Sequence, residues 1–213
     1  MQAQLQWLAS PEFTNRVILF AHGAGAGPES EFMQTFAKGL AKRSQLAMLT
    51  FPYWQQVQAT GKKRPPDSAK ILDAAMLAAG AQIRAKLPTA SLVVIGKSMG
   101  ARVAFRCAEP LRARARVALG FPFHPPSKPE KNRLGELKNG SIPTLIVQGT
   151  RDPFGNHDYI EQASQSNECL RNSEFLYVAQ GNHDLKQPKR IAEKLEQPWQ
   201  QIIGNIEQWL ENK

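Results

Sequence analysis

Apolar positions along this chain fall into two alternating spacings. Continuous runs at Val17 to Phe20, Leu46 to Thr50, Ser91 to Ile95, Arg116 to Leu119, Ile142 to Val147 and Phe175 to Val178 are strand-sized and dominated by aliphatic and aromatic side chains. Runs without polar alternation predict strands covered on both faces. Between them lie longer stretches of helical character. Glu29 to Arg43 repeats Phe32, Phe36 and Leu40 at helical spacing, and Asp67-Ser68 stands as an N-terminal cap before an Ala-rich segment that ends near Leu87-Pro88. Ala101 to Ala108, Tyr159 to Leu170 and Ile202 to Leu210 complete the predicted helices, while Pro52 to Pro66 and Phe121 to Gly140 read as loops.

Strands alternating with helices predict an α/β architecture, a mainly parallel sheet with helices on both faces. In such a sheet the loops that follow the strands gather at one rim, and ligands bind there. Neither a repeat nor a change of composition divides the chain, so residues 1–213 read as one domain. No insertion is long enough to form a full cap over that rim, which predicts a shallow site shaped by the two loops.

Composition adds little to this, but charge adds a question. The 213 residues contain 27 Lys and Arg against 18 Asp and Glu, a formal net charge of +9. Part of it is local, in Lys62-Lys63-Arg64 and in Arg112, Arg114 and Arg116. Lacking an aromatic-interleaved basic strand or a recognisable nucleic-acid module, these groups read as solvated surface, with the second cluster on a solvated edge leading into a strand. Nucleic acid is therefore not the expected partner. No apolar run reaches membrane-spanning length, and Met1 to Ser10 holds neither a basic residue nor a continuous apolar segment, so no secretory signal is expected. Cys107 and Cys169 read as buried free thiols of a reducing compartment, which places the chain in the cytoplasm.

The candidate chemistry begins at Gly96-Lys97-Ser98-Met99-Gly100, between a predicted strand and a predicted helix. A serine at the apex of a sharp strand-to-helix turn needs small neighbours, which Gly96 and Gly100 supply. The same residues do not form a phosphate-binding loop: Ser91 occupies the position of its first glycine, and residues 92–95 are apolar strand. A serine nucleophile needs a base and a carboxylate, arranged in this context in the chain order serine, acid, histidine. Of His22, His124, His157 and His183, only His183 follows the last predicted strand. Asp152, after the Ile142 to Val147 strand, is the chosen acid over Asp158 and Asp184. Donors for an oxyanion are expected from the Met99 amide and from the loop His22-Gly23-Ala24-Gly25-Ala26-Gly27, through Ala24 or alternatively Gly23. His124 is a candidate for lining the pocket and equally for packing in its loop. Arg151 and Arg64 are candidates for holding an acidic substrate group. Lys97 is expected to pack beneath the turn with its ammonium paired to a carboxylate. No metal-ligand pattern is present, and neither metal nor cofactor is expected.

These stretches, with Phe121-Pro122-Phe123-His124-Pro125-Pro126, Gly149-Thr150-Arg151-Asp152-Pro153-Phe154-Gly155 and His183-Asp184-Leu185-Lys186, resemble the small, lidless α/β-hydrolase family. That family includes bacterial predicted hydrolases related to the human testis-expressed and non-specific-lethal-complex subunit proteins. The resemblance implies an α/β-hydrolase fold with Ser98, Asp152 and His183 as triad positions. It departs at two places: Ala101 and Ser127 stand where glycine is expected. The expected activity is that of a serine hydrolase cleaving a small ester or related acyl bond through an acyl-serine intermediate, with Arg151 and Arg64 leaving room for an anionic substrate. Thioester and peptide bonds remain open, as does the oligomeric state. The rival expectation is a non-catalytic subunit of the same fold that offers its basic surface to an anionic partner.

Overall fold

The continuous apolar runs become the strands of one seven-stranded sheet. In the computed structural model, which describes residues 3–11, 14–137, 141–192 and 198–213, the strands are β1 (Gln4–Leu8), β2 (Arg16–Ala21), β3 (Gln45–Thr50), β4 (Ser91–Lys97), β5 (Ala115–Leu119), β6 (Thr144–Gly149) and β7 (Glu174–Val178). Their order across the sheet is β1-β3-β2-β4-β5-β6-β7. All neighbours run parallel except β1, which lies antiparallel along β3 with Leu5 opposite Leu49 and Trp7 opposite Ala47. The helices are α1 (Glu31–Leu40), α2 (Pro52–Thr60), α3 (Ala69–Lys86), α4 (Met99–Cys107), α5 (His157–Ser164), α6 (Glu168–Arg171), α7 (Lys189–Ala192) and α8 (Pro198–Glu211).

The two-residue period of the strands divides the core between the two faces of the sheet. Val17, Leu19 and Ala21 point to one side, where they pack with Leu72, Met76 and Ile83 of α3 and Val103 of α4. Ile18 and Phe20 point to the other, against Phe36 and Leu40 of α1 and Ile203 and Ile206 of α8. Together the layers bury β2 to β6 almost completely, which is why those runs are unbroken by polar residues. The start of α1 is set by Ser30, whose hydroxyl accepts from the Met33 amide at 3.4 Å. Glu31 in its first turn and Lys38 in its last complement the helix dipole. Phe32 of α1 then meets Trp199 of α8 edge-on at 5.2 Å, locking the two helices over β2 and β4.

Three readings of the sequence need correction, and one element, β1, was not read at all. The segment from Pro52 to Pro66 is not wholly a loop. Pro52 occupies the first turn of α2 and Gly61, at φ 68°, ends it in the left-handed conformation, the proline-first, glycine-last signature of a helix. The N-terminal segment forms the edge strand β1, whose polar residues face solvent. The helix expected over Tyr159 to Leu170 is two: α5 ends at Ser164, and Asn167 starts α6 afresh by accepting from the Leu170 amide at 3.0 Å. Arg116 is not on a solvated edge. It is buried, donating to Thr144 at 2.8 Å and to the Leu137 carbonyl at 2.7 Å, with its guanidinium over the Phe105 ring. Of the two free cysteines, Cys107 is buried and Cys169 only half so. The end of the Phe121 to Gly140 loop, Lys138 to Gly140, lies outside the described residues.

Packing of this kind makes a sharp contrast between inside and outside. Phe36→Ala, at a fully buried site, should lower unfolding free energy by about 3–5 kcal/mol in a denaturant titration. Ile71→Ala, at a site 46% exposed on α3, should change it by no more than about 0.5 kcal/mol.

Candidate active site

Ser98 sits where β4 crosses into α4, with φ 52° and ψ −113°. A non-glycine residue adopts such angles only where its surroundings enforce them. The enforcement is visible. A Cβ on Gly96 would lie 2.2 Å from the Gly100 carbonyl carbon, and one on Gly100 would lie 2.4 Å from the Ala21 carbonyl oxygen. The Ser98 amide donates to Leu119 at 3.1 Å and its carbonyl accepts from Ala101 at 3.0 Å. Ala101, where glycine was expected, fits fully buried, whereas Ser127 takes a positive φ of 59°, the conformation that glycine adopts most freely.

His183 reaches the turn from the loop after β7. Its Nε2 lies 2.8 Å from Ser98 Oγ, and its Nδ1 lies 2.7 Å from Asp152 Oδ2. A carboxylate at Nδ1 favours the tautomer with its proton there, leaving Nε2 free to accept from the serine hydroxyl. The Asp152 side chain is fully buried, so its charge must be met by donors. Gln148 Nε2 donates to Oδ2 at 2.9 Å and the Phe154 amide to Oδ1 at 2.8 Å. Gln148 is itself buried and tied to Phe121 through both ends of its amide, at 2.8 and 3.2 Å.

The histidine loop has its own supports. Asn182 Oδ1 accepts from the amides of Asp184 and Lys186, at 2.9 and 3.0 Å, and Leu185 is buried in the core. Gly120 and Gly149 leave room for it: a Cβ at either would meet a carbonyl of residues 181–183 at 2.8 Å or less. Lys97 Nζ donates to the His183 carbonyl at 2.6 Å and pairs with Asp184 at 3.3 Å. Burial lowers the Lys97 ammonium's pKa, against the pull of Asp184 and Asp152.

The loop after β2 passes beside Ser98, a Cβ on Gly23 falling 3.7 Å from that of Ser98. Its shape depends on His22, which is fully buried. Nδ1 donates to the Gly23 carbonyl at 2.8 Å and Nε2 accepts from the Phe51 amide at 3.2 Å, so the ring is held neutral. Burial pushes its pKa down to about 4. The Tyr53 hydroxyl lies 2.9 Å from the Gly23 carbonyl and 3.1 Å from that of Ala24. Met99, the first residue of α4, has one of the first-turn amides for which the helix has no partner.

Two clefts meet at Ser98. One, of about 510 Å³, is bounded by Gly23 to Ala26, Phe32, Lys97, His183 and Trp199. The other, of about 320 Å³, is bounded by Ala24, Met99, Arg102, Arg106, Arg133 and Asp67 among others. Ser98 is partly exposed between them, and among the described residues no helical cap covers it. The candidates for binding substrate fare differently from the hydrogen-bonded trio. His124 is buried against Tyr159, ring centroids 4.4 Å apart, and bounds neither cleft. Arg151 is exposed and bounds neither. Arg64 touches the second cleft only through its ion pair with Asp67, at 3.1 Å. The arginines that do bound it, together with Gln148, were not singled out in the sequence. Arg102 and Arg106 continue the helical phase of Ser98, a signal the sequence carries. Among the described residues no cluster of His, Cys, Asp and Glu could hold a metal ion.

A model of a family described as an alpha/beta hydrolase domain matches residues 14–211. No curated protein sequence matches the chain. Solved structures that share its fold include an alpha-beta serine hydrolase homologue from Coxiella burnetii, at 14% identity and TM-score 0.72, covering 94% of this chain and 89% of that one. A lidless serine hydrolase from Xanthomonas campestris matches at 15% identity and TM-score 0.64, over 86% of this chain and 87% of the other. Dienelactone hydrolase from Anabaena variabilis matches at 16% identity and TM-score 0.71, over 99% and 91%.

The buried, neutral His22 predicts acid sensitivity of a definite sign. Its folded pKa of about 4 lies below the ordinary histidine value of 6.5, so the unfolded chain binds more protons as pH falls between these values. The stability His22 contributes is present above its unfolded pKa and declines on acidification. Denaturant titrations at pH 7 and pH 5 should show a loss of about 2 kcal/mol attributable to this group. His22→Gln should be less stable at pH 7 but should lose correspondingly less between the two pH values.

Proposed function

The chain belongs to the alpha/beta hydrolase domain family, and from that premise we propose that it is a serine hydrolase acting on small esters or related acyl bonds through an acyl-Ser98 intermediate. The observation that supports this most directly is the continuous run of hydrogen bonds from Ser98 Oγ through His183 to Asp152, at 2.8 and 2.7 Å.

In this mechanism Ser98 Oγ attacks the substrate carbonyl carbon as its proton passes to His183 Nε2. Asp152 stays ionised, holds the Nδ1 proton in place and stabilises the imidazolium. Negative charge builds on the carbonyl oxygen, where the Met99 amide and that of Ala24, or of Gly23, receive it. Collapse of the tetrahedral species breaks the bond to the leaving group, which takes the proton from His183. Water then enters, gives a proton to His183 as it attacks the acyl carbon, and Ser98 recovers its proton when the acid departs. Lys97 acts as a positioning residue, since its ammonium fixes the carbonyl of the residue that shuttles the proton. An ester, thioester or activated amide would suit the same steps. We further propose a cytoplasmic setting for a single domain over residues 1–213. The two free thiols fit a reducing compartment, and among the described residues no helix is long and apolar enough to cross a membrane.

Hydrolysis of 4-nitrophenyl butyrate tests the reading. Ser98→Ala and His183→Ala should each lose about 10⁶-fold in kcat and Asp152→Asn about 10⁴-fold, with the melting temperature monitored in parallel. Full activity in folded Ser98→Ala would contradict it.

A further inference from the structure

The two clefts at Ser98 differ in charge and in their relation to His183. His183 bounds the larger one and not the smaller. The smaller carries three arginines on its wall, Arg102, Arg106 and Arg133. Arg102 and Arg106 follow Ser98 at intervals of four residues along α4, so all three lie on one face of the helix. Arg133 arrives from the β5–β6 connection, where its Nη1 donates to the Pro122 carbonyl at 3.0 Å.

The charges on this wall do not balance. Glu136 receives Arg102 through two hydrogen bonds, at 2.7 and 2.5 Å, and also pairs with Arg106 at 3.3 Å. Asp73 receives Arg106 at 2.6 Å. Burial alone would raise the Glu136 carboxyl, but the Arg102 hydrogen bonds and the charges of Arg102, Arg106 and Arg133 bring it below the usual carboxylate range. Asp67, also on the wall, is matched by Arg64. Among the described residues Arg133 has no ion-pair partner of its own. Among the described residues three guanidiniums thus share two carboxylates, leaving one positive charge unpaired on the wall of the cleft that Ser98 also bounds. Burial and the neighbouring Arg102 both push the Arg133 pKa down, with Glu136 opposing, a cost that a bound anion would relieve.

The route of the proton settles which part of a substrate meets this charge. The leaving group takes its proton from His183 and so departs through the larger cleft. The acyl portion then occupies the smaller one. We propose that the substrate's acyl chain ends in a carboxylate that Arg133 binds, so that the preferred substrates are half-esters of dicarboxylic acids. This proposal rests on the serine-hydrolase reading. One net positive charge matches a monoanion, and the planar guanidinium fork matches a carboxylate. A phosphate dianion would instead leave surplus negative charge near Glu136, Asp73 and Asp67.

The test compares ethyl hydrogen glutarate, adipate and pimelate with the uncharged ethyl pentanoate, hexanoate and heptanoate. The wild type should favour the half-ester in kcat/KM by about tenfold or more at one or more chain lengths. Arg133→Gln should lower that ratio by a similar factor, and Arg133→Lys should keep part of it. Equal or reversed preference in the wild type at every length, or a preference that survives in Arg133→Gln, would overturn the proposal while leaving Ser98-dependent hydrolysis intact. Labelling of Ser98 by a fluorophosphonate with no cleavage of any half-ester would likewise overturn it alone. Failure of both labelling and cleavage would remove the hydrolase reading and this proposal with it.

Discussion

The geometry of the site depends on one backbone constraint, the left-handed turn at Ser98. Its φ of 52° is unfavourable for a side-chain-bearing residue, and a strained conformation persists only when its surroundings over-determine it. Here the surroundings are the middle of the sheet. β4 is paired along its length with β2 and β5, and the Gly96–Gly100 contact lets strand and helix cross without room for another carbon atom. Once the turn is fixed, the direction of α4 follows. That direction sets the Met99 amide next to Ser98 and carries Arg102 and Arg106 along the same helical face.

A second constraint is the disposal of buried charge. Asp152 and Lys97 are both almost fully enclosed, and an unmatched charge in that position would cost several kcal/mol. Each is met by fixed polar groups. Gln148, the Phe154 amide and the His183 ring surround the carboxylate, while the His183 carbonyl and Asp184 meet the ammonium. Both networks converge on His183, so the ring is held from its Nδ1 side and its main chain at once. That double tether is what allows a residue from a surface loop to stay within hydrogen-bonding distance of Ser98.

Much of the fold was legible because it rests on short-range physics. Strands buried on both faces read as unbroken apolar runs, and β2 to β7 were found at or near their observed places. β1 escaped because an edge strand buries only alternate residues and is short. α2 escaped because its residues are aromatic, polar and β-branched, with weak helical periodicity, although Pro52 and Gly61 mark its ends. The site divides in the same way. Ser98, Asp152 and His183 could be placed because each follows a strand, where chain order and spacing constrain them. Arg133 could not, since its place beside Arg102 depends on how a long connection folds back over α4. Arg116 misled for a related reason: its burial depends on a carbonyl, Leu137, and a ring, Phe105, distant in sequence. Lys97 was readable in kind, as a buried stem ending at a carboxylate, though only the fold could supply Asp184 as the partner.

The central claim is that this assembly activates Ser98. It is tested most directly by reacting the folded protein with a fluorophosphonate and mapping the labelled peptide, in the wild type and in Ser98→Ala. The account predicts stoichiometric modification of Ser98 in the wild type and none in the variant. Absence of labelling in wild-type protein that is demonstrably folded, or equal labelling of Ser98→Ala, would contradict it.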